Sequence, residues 1–272
     1  MMGPLEHLQF LSFSSGSCGN SYLFRSGERM ILVDAAVSPR RMKNVLKQYG
    51  IDHKGISAVL LTHDHNDHVR NIGSICKTLC PPVFATPLVH DALSGHPLAA
   101  PYITGCRRDL PIGQWVEVAG FNVLSFEVPH DATQTVGYVI DDPATEHRVV
   151  IATDLGRVVQ DLVRWARTAN TLVIESNYDV DMLMGGSYTH DLKMRICKGN
   201  GHISNDECAD ALRRIYHPEL RNIFLCHLSG NNNSPEIAYE TSLYALRSLG
   251  LEDGSVALRT LPRGVPTQLF NL

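Results

Sequence analysis

Within six consecutive residues the chain places His63, His65, Asp67 and His68, directly after the apolar run Ile56-Ser57-Ala58-Val59-Leu60-Leu61. The run reads as a buried strand and the cluster as the turn that leaves it. Alternation along that turn sends His63 and His65 to one side and Asp67 and His68 to the other, so one loop can serve two metal ions. Imidazoles with a carboxylate suit zinc, with manganese or iron as alternatives. One loop cannot close two coordination shells, so further donors are expected at the ends of later strands. Three residues meet that description. His130 follows Phe126-Glu127-Val128-Pro129, Asp154 follows Val149-Val150-Ile151-Ala152-Thr153, and His227 follows Ile223-Phe224-Leu225-Cys226. Singly, each is explained as well by a structural cap; as a set they support one another.

The elements that must hold these donors are legible in outline. Residues 8–13, 21–24 and 30–33 read as antiparallel strands joined by tight turns. Ser38-Pro39 supplies an N-cap and a first-turn proline, Val45 and Leu46 an apolar face, and Gly50 a helix end. A helix over 71–79 precedes a strand at 83–85, followed by a β-rich middle at 115–118, 121–128, 135–140 and 148–152. The final third is helix-rich, with strands at 171–174, 222–225 and 255–259. Residues 91–111, with three prolines, read as an edge loop. This pattern predicts two packed sheets with helices outside.

A length of 272 residues and a 44% hydrophobic content suit one large α/β domain over 1–272. The first ten residues lack a basic segment followed by an apolar one, and no apolar run approaches the roughly 18 residues of a membrane span. A soluble, cytoplasmic protein with no membrane partner is expected. Seven scattered cysteines read as buried small apolar residues in a reducing compartment. A formal charge of −4 gives no help to broad binding of phosphate backbones. It does not exclude a nucleic-acid substrate, because two divalent ions create a strong local positive field.

With HxHxDH at 63–68, a later His130, then Asp154 and a final His227, the chain resembles the metallo-β-lactamase superfamily from about residue 10 to residue 234. The resemblance implies an α/β fold, a four-layer αββα sandwich with the site at one edge of the two sheets. It also implies that His63, His65 and His130 hold a first metal, that Asp67, His68 and His227 hold a second, and that Asp154 bridges them. The expected cofactors are two divalent ions, zinc first and manganese second.

The superfamily cleaves several bond types, so finer features must select a substrate. Gly201-His202-Ile203-Ser204 places a histidine ahead of a capping box, Ser204-x-x-Glu207, with Cys208, Ala211, Leu212 and Ile215 at helical spacing behind it. His202 there can bond a phosphate oxygen or protonate a leaving alcohol, or simply finish the cap. This GHxS element resembles the extra histidine motif of the nuclease branches. Ser15-Gly16-Ser17-Cys18-Gly19-Asn20, Lys193-x-Arg195-Ile196 and His227-Leu228-Ser229-Gly230-Asn231-Asn232 are similar to the YycJ/WalJ-like nuclease group, which implies action on DNA from a 5′ end. The stretch 229–233 departs from that group, where an acidic residue is common. Glu175, after Leu172-Val173-Ile174, sits where nuclease relatives keep a carboxylate that orients the extra histidine; the other reading is a solvated strand end. Lys193 and Arg195 read as exposed helix charges or phosphate contacts, and Asn20, Asn231 and Asn232 as turn residues or contacts to the substrate backbone.

The resulting expectation is a dinuclear metal-dependent phosphodiesterase, a nuclease acting on DNA in preference to RNA. Asp67 stands at the shared edge of the metal site, His202 is the acid and Glu175 its partner. Two rivals remain. One is a thioester or lactone hydrolase of the same fold, which would not need His202. The other is a non-catalytic metal-containing binding module, whose metal site would be closed and mononuclear.

Overall fold

The computed structural model describes residues 7–97 and 99–272. Most of the N-terminal segment read for targeting signals, and Leu98 within the expected edge loop, lie outside them. Among the described residues fourteen strands form two seven-stranded sheets. The first runs β14 (Phe270–Asn271), β1 (Gln9–Ser14), β2 (Ser21–Ser26), β3 (Arg29–Val33), β4 (Ile56–Leu60), β5 (Val83–Ala85) and β6 (Arg107–Asp109). The second runs β13 (Ala257–Thr260), β12 (Asn222–Cys226), β11 (Thr171–Glu175), β10 (His147–Ala152), β9 (Val136–Asp142), β8 (Phe121–Glu127) and β7 (Trp115–Val118). The three opening strands pair antiparallel, as their tight turns require, and β3 to β6 then run parallel. In the second sheet β7 to β10 are antiparallel and β10 to β13 parallel.

Three apolar layers explain why the central strands are apolar at nearly every position. Between the sheets lie Phe10, Tyr22, Phe24, Leu60, Tyr138, Ile151, Val173 and Phe224. The alternate residues of the same strands face outward to helices: Leu11, Leu32 and Val59 on one side, Val150, Leu172 and Leu225 on the other. The order is helix, sheet, sheet, helix, as expected. Parallel strands end along a common edge, and in open α/β sheets that carboxyl edge is where ligands bind. His63, His65, Asp67 and His68 come after β4, Asp154 after β10 and His227 after β12 at that edge, while His130 follows β8, which pairs antiparallel with both neighbours.

Two expectations need correction. Residues 91–111 are not a loop: they contain the end of helix Pro87–Ser94, helix Ala100–Ile103 and the edge strand β6. Pro101 stands in the first turn of its helix, where a missing N–H costs nothing, and the polar Arg107-Arg108-Asp109 is a charged edge of the kind that discourages pairing with other chains. The cysteines also divide. Cys76, Cys106, Cys208 and Cys226 are buried, whereas Cys18 and Cys197 are half-buried and Cys80 is exposed. Cys80 follows helix Ile72–Leu79 in the left-handed conformation that ends it, which turns its side chain out.

Candidate metal centre

The loop after β4 carries His63 and His65, and a short helix Asn66–Val69 carries Asp67 and His68. Donor atoms of His63, His65 and His130 lie within 4.8 Å of one another, as do those of Asp67, His68 and His227. The carboxylate of Asp154 lies between the two groups, with Oδ2 3.2 Å from His68 Nε2 and Oδ1 3.7 Å from His130 Nε2 and 2.9 Å from His227 Nδ1. All seven side chains singled out from the sequence therefore meet in one place.

Hydrogen bonding on the far side of each ring shows that the cluster suits cations. His68 donates from Nδ1 to Asp34 Oδ2 at 2.7 Å, and His130 from Nδ1 to the Gly201 carbonyl at 2.7 Å. His63 donates from Nδ1 to Thr62 Oγ1 at 3.0 Å, and Thr62 in turn donates to Asp34. His65 is turned the other way, donating from Nε2 to the Asp131 carbonyl at 3.2 Å. An imidazole anchored by one nitrogen presents a lone pair on the other, the usual arrangement of a histidine ligand. Buried His63 Nε2, Asp154 Oδ2 and His227 Nε2 have no hydrogen-bond partner. Buried polar atoms are rarely left so, and one in each triad with Asp154 Oδ2 between them fits a pair of cations. Nitrogen and oxygen donors without a thiolate match zinc, manganese or iron. Burial and the neighbouring imidazoles hold His63 below the usual histidine range, as a neutral ligand requires. Burial would push the Asp154 carboxyl up, but His227 and His68 hold it well below the usual range.

Asp34 was not singled out from sequence, although it has the same signature: it follows the apolar β3 run Met30-Ile31-Leu32-Val33. Fully buried and at φ 60°, it accepts from the Thr62 backbone N–H at 2.9 Å and orients His68. His227 also has positive φ, 52°. Non-glycine residues in this region are uncommon, and both stand at the site edge, where surrounding contacts hold them. Asn20 is more than a turn residue, since its amide reaches Asp67 Oδ2 at 3.4 Å while its Oδ1 accepts from Gly16 N at 2.8 Å.

The reading of Glu175 as a solvated strand end is overturned: the residue is 0% exposed. Its Oε2 accepts from the backbone N–H of Leu155 at 2.9 Å and Ile203 at 3.1 Å, and Oε1 accepts from His202 Nδ1 at 2.7 Å. Burial alone would raise this carboxyl, and the imidazoles of His202 and His227 more than reverse that. The opposite balance holds at His202, where burial lowers the imidazole but Glu175 raises it above its ordinary value. The capping box is formed by Ser204 and Glu207 as expected, and the His202 side chain takes no part in it.

Both triads open onto a cleft of about 320 Å³, lined also by Ser17, Asn177, Tyr188, Arg195, His202 and Ser229. Arg195 is not free for a ligand, since Asp131 holds its Nε at 2.6 Å. Lys193 donates to the Met184 carbonyl at 2.7 Å. Two further histidines bond away from the site, His90 to the Arg108 carbonyl and His147 to Thr171.

An αββα sandwich with this histidine and aspartate cluster at one edge of its sheets defines a metallo-β-lactamase-fold hydrolase. Residues 29–227 match the family described as the Beta-lactamase superfamily domain, and the chain belongs to that superfamily. It is 30% identical over 247 residues to exodeoxyribonuclease YycJ of Bacillus anthracis, covering 91% of this chain and 92% of that protein. Exodeoxyribonuclease WalJ of Streptococcus pneumoniae serotype 2 is 29% identical over 243 residues, or 89% of each chain. The metallo-β-lactamase-fold protein YhfI from Bacillus subtilis superposes with a TM-score of 0.69 at 16% identity, covering 96% of this chain and 99% of that one, which speaks to the fold. Among the described residues no helix is long and apolar enough to cross a membrane.

Proposed function

We propose that residues 1–272 form one domain that acts as a dinuclear metal-dependent phosphodiesterase, removing nucleotides from a 5′ end of DNA. His63, His65 and His130 would hold one ion, Asp67, His68 and His227 the other, and Asp154 both, with zinc or manganese as the metal. Bound there, such ions activate water and neutralise charge on phosphoryl oxygens. The observation that carries the nuclease reading is the His202–Glu175 pair, 2.7 Å apart, with His202 lining the cleft beside both triads and Glu175 buried behind it. Its Nδ1 is engaged by Glu175, so the other ring nitrogen is available to protonate a leaving alkoxide. The thiolate of a thioester leaves without needing that proton source. The names of the two relatives support DNA as the substrate. Seven cysteines without a disulfide suit a reducing compartment, and we place the protein in the cytoplasm.

The test is incubation of purified protein with end-labelled single- and double-stranded DNA and RNA, with zinc or manganese supplied separately. A ladder shortening from the 5′ end of DNA is expected. Cleavage of thioesters or lactones with nucleic acids left intact favours the esterase reading. A single bound ion with no turnover of any substrate favours the binding module.

A further inference from the structure

The loop 15–19 enters the cleft through Ser17 and is pressed from outside by two arginines. Arg263 donates to Ser17 Oγ at 3.3 Å, and its side chain lies across Gly16 and Gly230. A Cβ at Gly16 would stand 3.1 Å from Arg263 Nε, and one at Gly230 would overlap the guanidinium. Arg70 donates from Nε to the Ala36 carbonyl at 2.9 Å and from Nη2 to the Cys18 carbonyl, and a Cβ at Gly19 would overlap it. Two guanidinium groups are thus anchored on adjacent residues of one loop, each seated against glycine.

Their electrostatic situation differs from that of the arginines that pair with carboxylates. Arg29, Arg107, Arg148, Arg195, Arg213 and Arg247 each hold a carboxylate. Among the described residues neither Arg70 nor Arg263 has a carboxylate within ion-pair distance; their partners are two backbone carbonyls and a hydroxyl. Both are exposed. These anchors use a few of the five N–H groups of each guanidinium and leave its charge uncompensated, in a chain with a net charge of −4. The cleft is therefore asymmetric. On the His65 and His130 side Arg195 is neutralised by Asp131, whereas the loop under Arg70 and Arg263 leads into Asn20, whose backbone N–H donates to the Asp67 carbonyl at 2.7 Å.

We infer that Arg263 and Arg70 form a phosphate-binding flank of the cleft, which holds the nucleic-acid backbone beside the scissile phosphodiester and leads it out on the Asp67 side. The inference rests on the nuclease reading above. Planar guanidinium forks match phosphate oxygens, and contacts of this kind set position and register, not base preference.

Anisotropy of a labelled phosphorothioate single strand, which resists cleavage, measures the flank directly when titrated at several salt concentrations. Arg263→Gln is expected to weaken binding about tenfold. The slope of log affinity against log salt should become shallower by about 0.7 to 1, the signature of one lost phosphate contact. Gly230→Ala keeps the charge and displaces the guanidinium, so weaker binding is expected there too. Arg213→Gln, which removes an arginine paired with Asp210, serves as the control, and thermal midpoints verify that each variant is folded. Wild-type affinity and slope in either Arg263→Gln or Gly230→Ala overturn the flank and leave the nuclease reading standing. A wild-type protein that binds the strand but cuts no nucleic acid overturns the nuclease reading alone.

Discussion

Glu175 is shared, because its Oε1 lies 2.7 Å from His202 Nδ1 and 3.1 Å from His227 Nδ1. One buried carboxylate thereby orients both the proposed acid and a proposed ligand, and substitution of His202 should separate those roles. His202→Ala is expected to lower turnover of DNA by about 10²- to 10⁴-fold while the metal content stays the same. A nitrophenyl phosphodiester should suffer much less, since its leaving oxygen needs little protonation; loss of metal, or equal slowing of both substrates, would count against the acid role. Asp34→Ala tests the opposite case. It leaves His68 Nδ1 without its acceptor and is expected to weaken metal affinity about 10- to 100-fold, measured by competition with a chromogenic chelator. The seven donors were legible because each follows an apolar strand, a local signature. Asp34 carries that signature equally, and only its contact with His68, 34 residues away, tells its role. Glu175 was ambiguous for the same reason, since burial of a strand-end carboxylate depends on what packs over it.

Among the elements, the junction that holds β11, helix Asn205–Ile215 and the loop after His227 is made almost wholly of buried amides. Asn233 Nδ2 reaches the Ser176 and Asn177 carbonyls at 2.9 and 3.0 Å, and its Oδ1 accepts from Asn205 Nδ2 at 2.9 Å. Ser176 Oγ donates to Asn205 Oδ1 at 2.7 Å, and Asn177 Nδ2 donates to the His227 carbonyl at 2.8 Å. Removing one member of such a network leaves the others desolvated without partners. Asn233→Ala should therefore destabilise the fold by about 1 to 3 kcal/mol per stranded group in urea unfolding, and should also lower activity by loosening His227 and His202. A variant as stable and as active as the parent would show that the network neither supports the fold nor positions the site. Asn233 was not singled out from sequence, because its partners are 28 to 57 residues distant. Strands and capped helices were legible where periodicity and caps act locally. Residues 91–111 were not, since their prolines read as breaks and only pairing of β6 with β5 makes them part of a sheet.

Across the whole molecule, the two proposed metal sets draw on both sheets. His63, His65, Asp67 and His68 follow β4 of the first, whereas His130, Asp154 and His227 follow β8, β10 and β12 of the second. An ion held by His63, His65 and His130 would cross-link the sheets at their shared edge, and the same is true of one held by Asp67, His68 and His227. Without cations that edge contains buried donors with no partner, so the folded state should bind ions strongly and the unfolded chain weakly. Binding confined to the folded state stabilises it by about 2.7 kcal/mol when the free ion is at about 100 times its dissociation constant. At about 2–4 °C per kcal/mol for a chain near this size, chelation should lower the thermal midpoint by about 5–10 °C. Calorimetry with and without a chelator, followed by return of zinc or manganese, measures the shift. His65→Ala should respond less to the chelator than the parent, because it removes one donor from the first set only. An unchanged midpoint in protein that elemental analysis shows to be stripped of metal would mean that the sheets are held by their apolar layers alone, with the ions contributing chemistry and not cohesion.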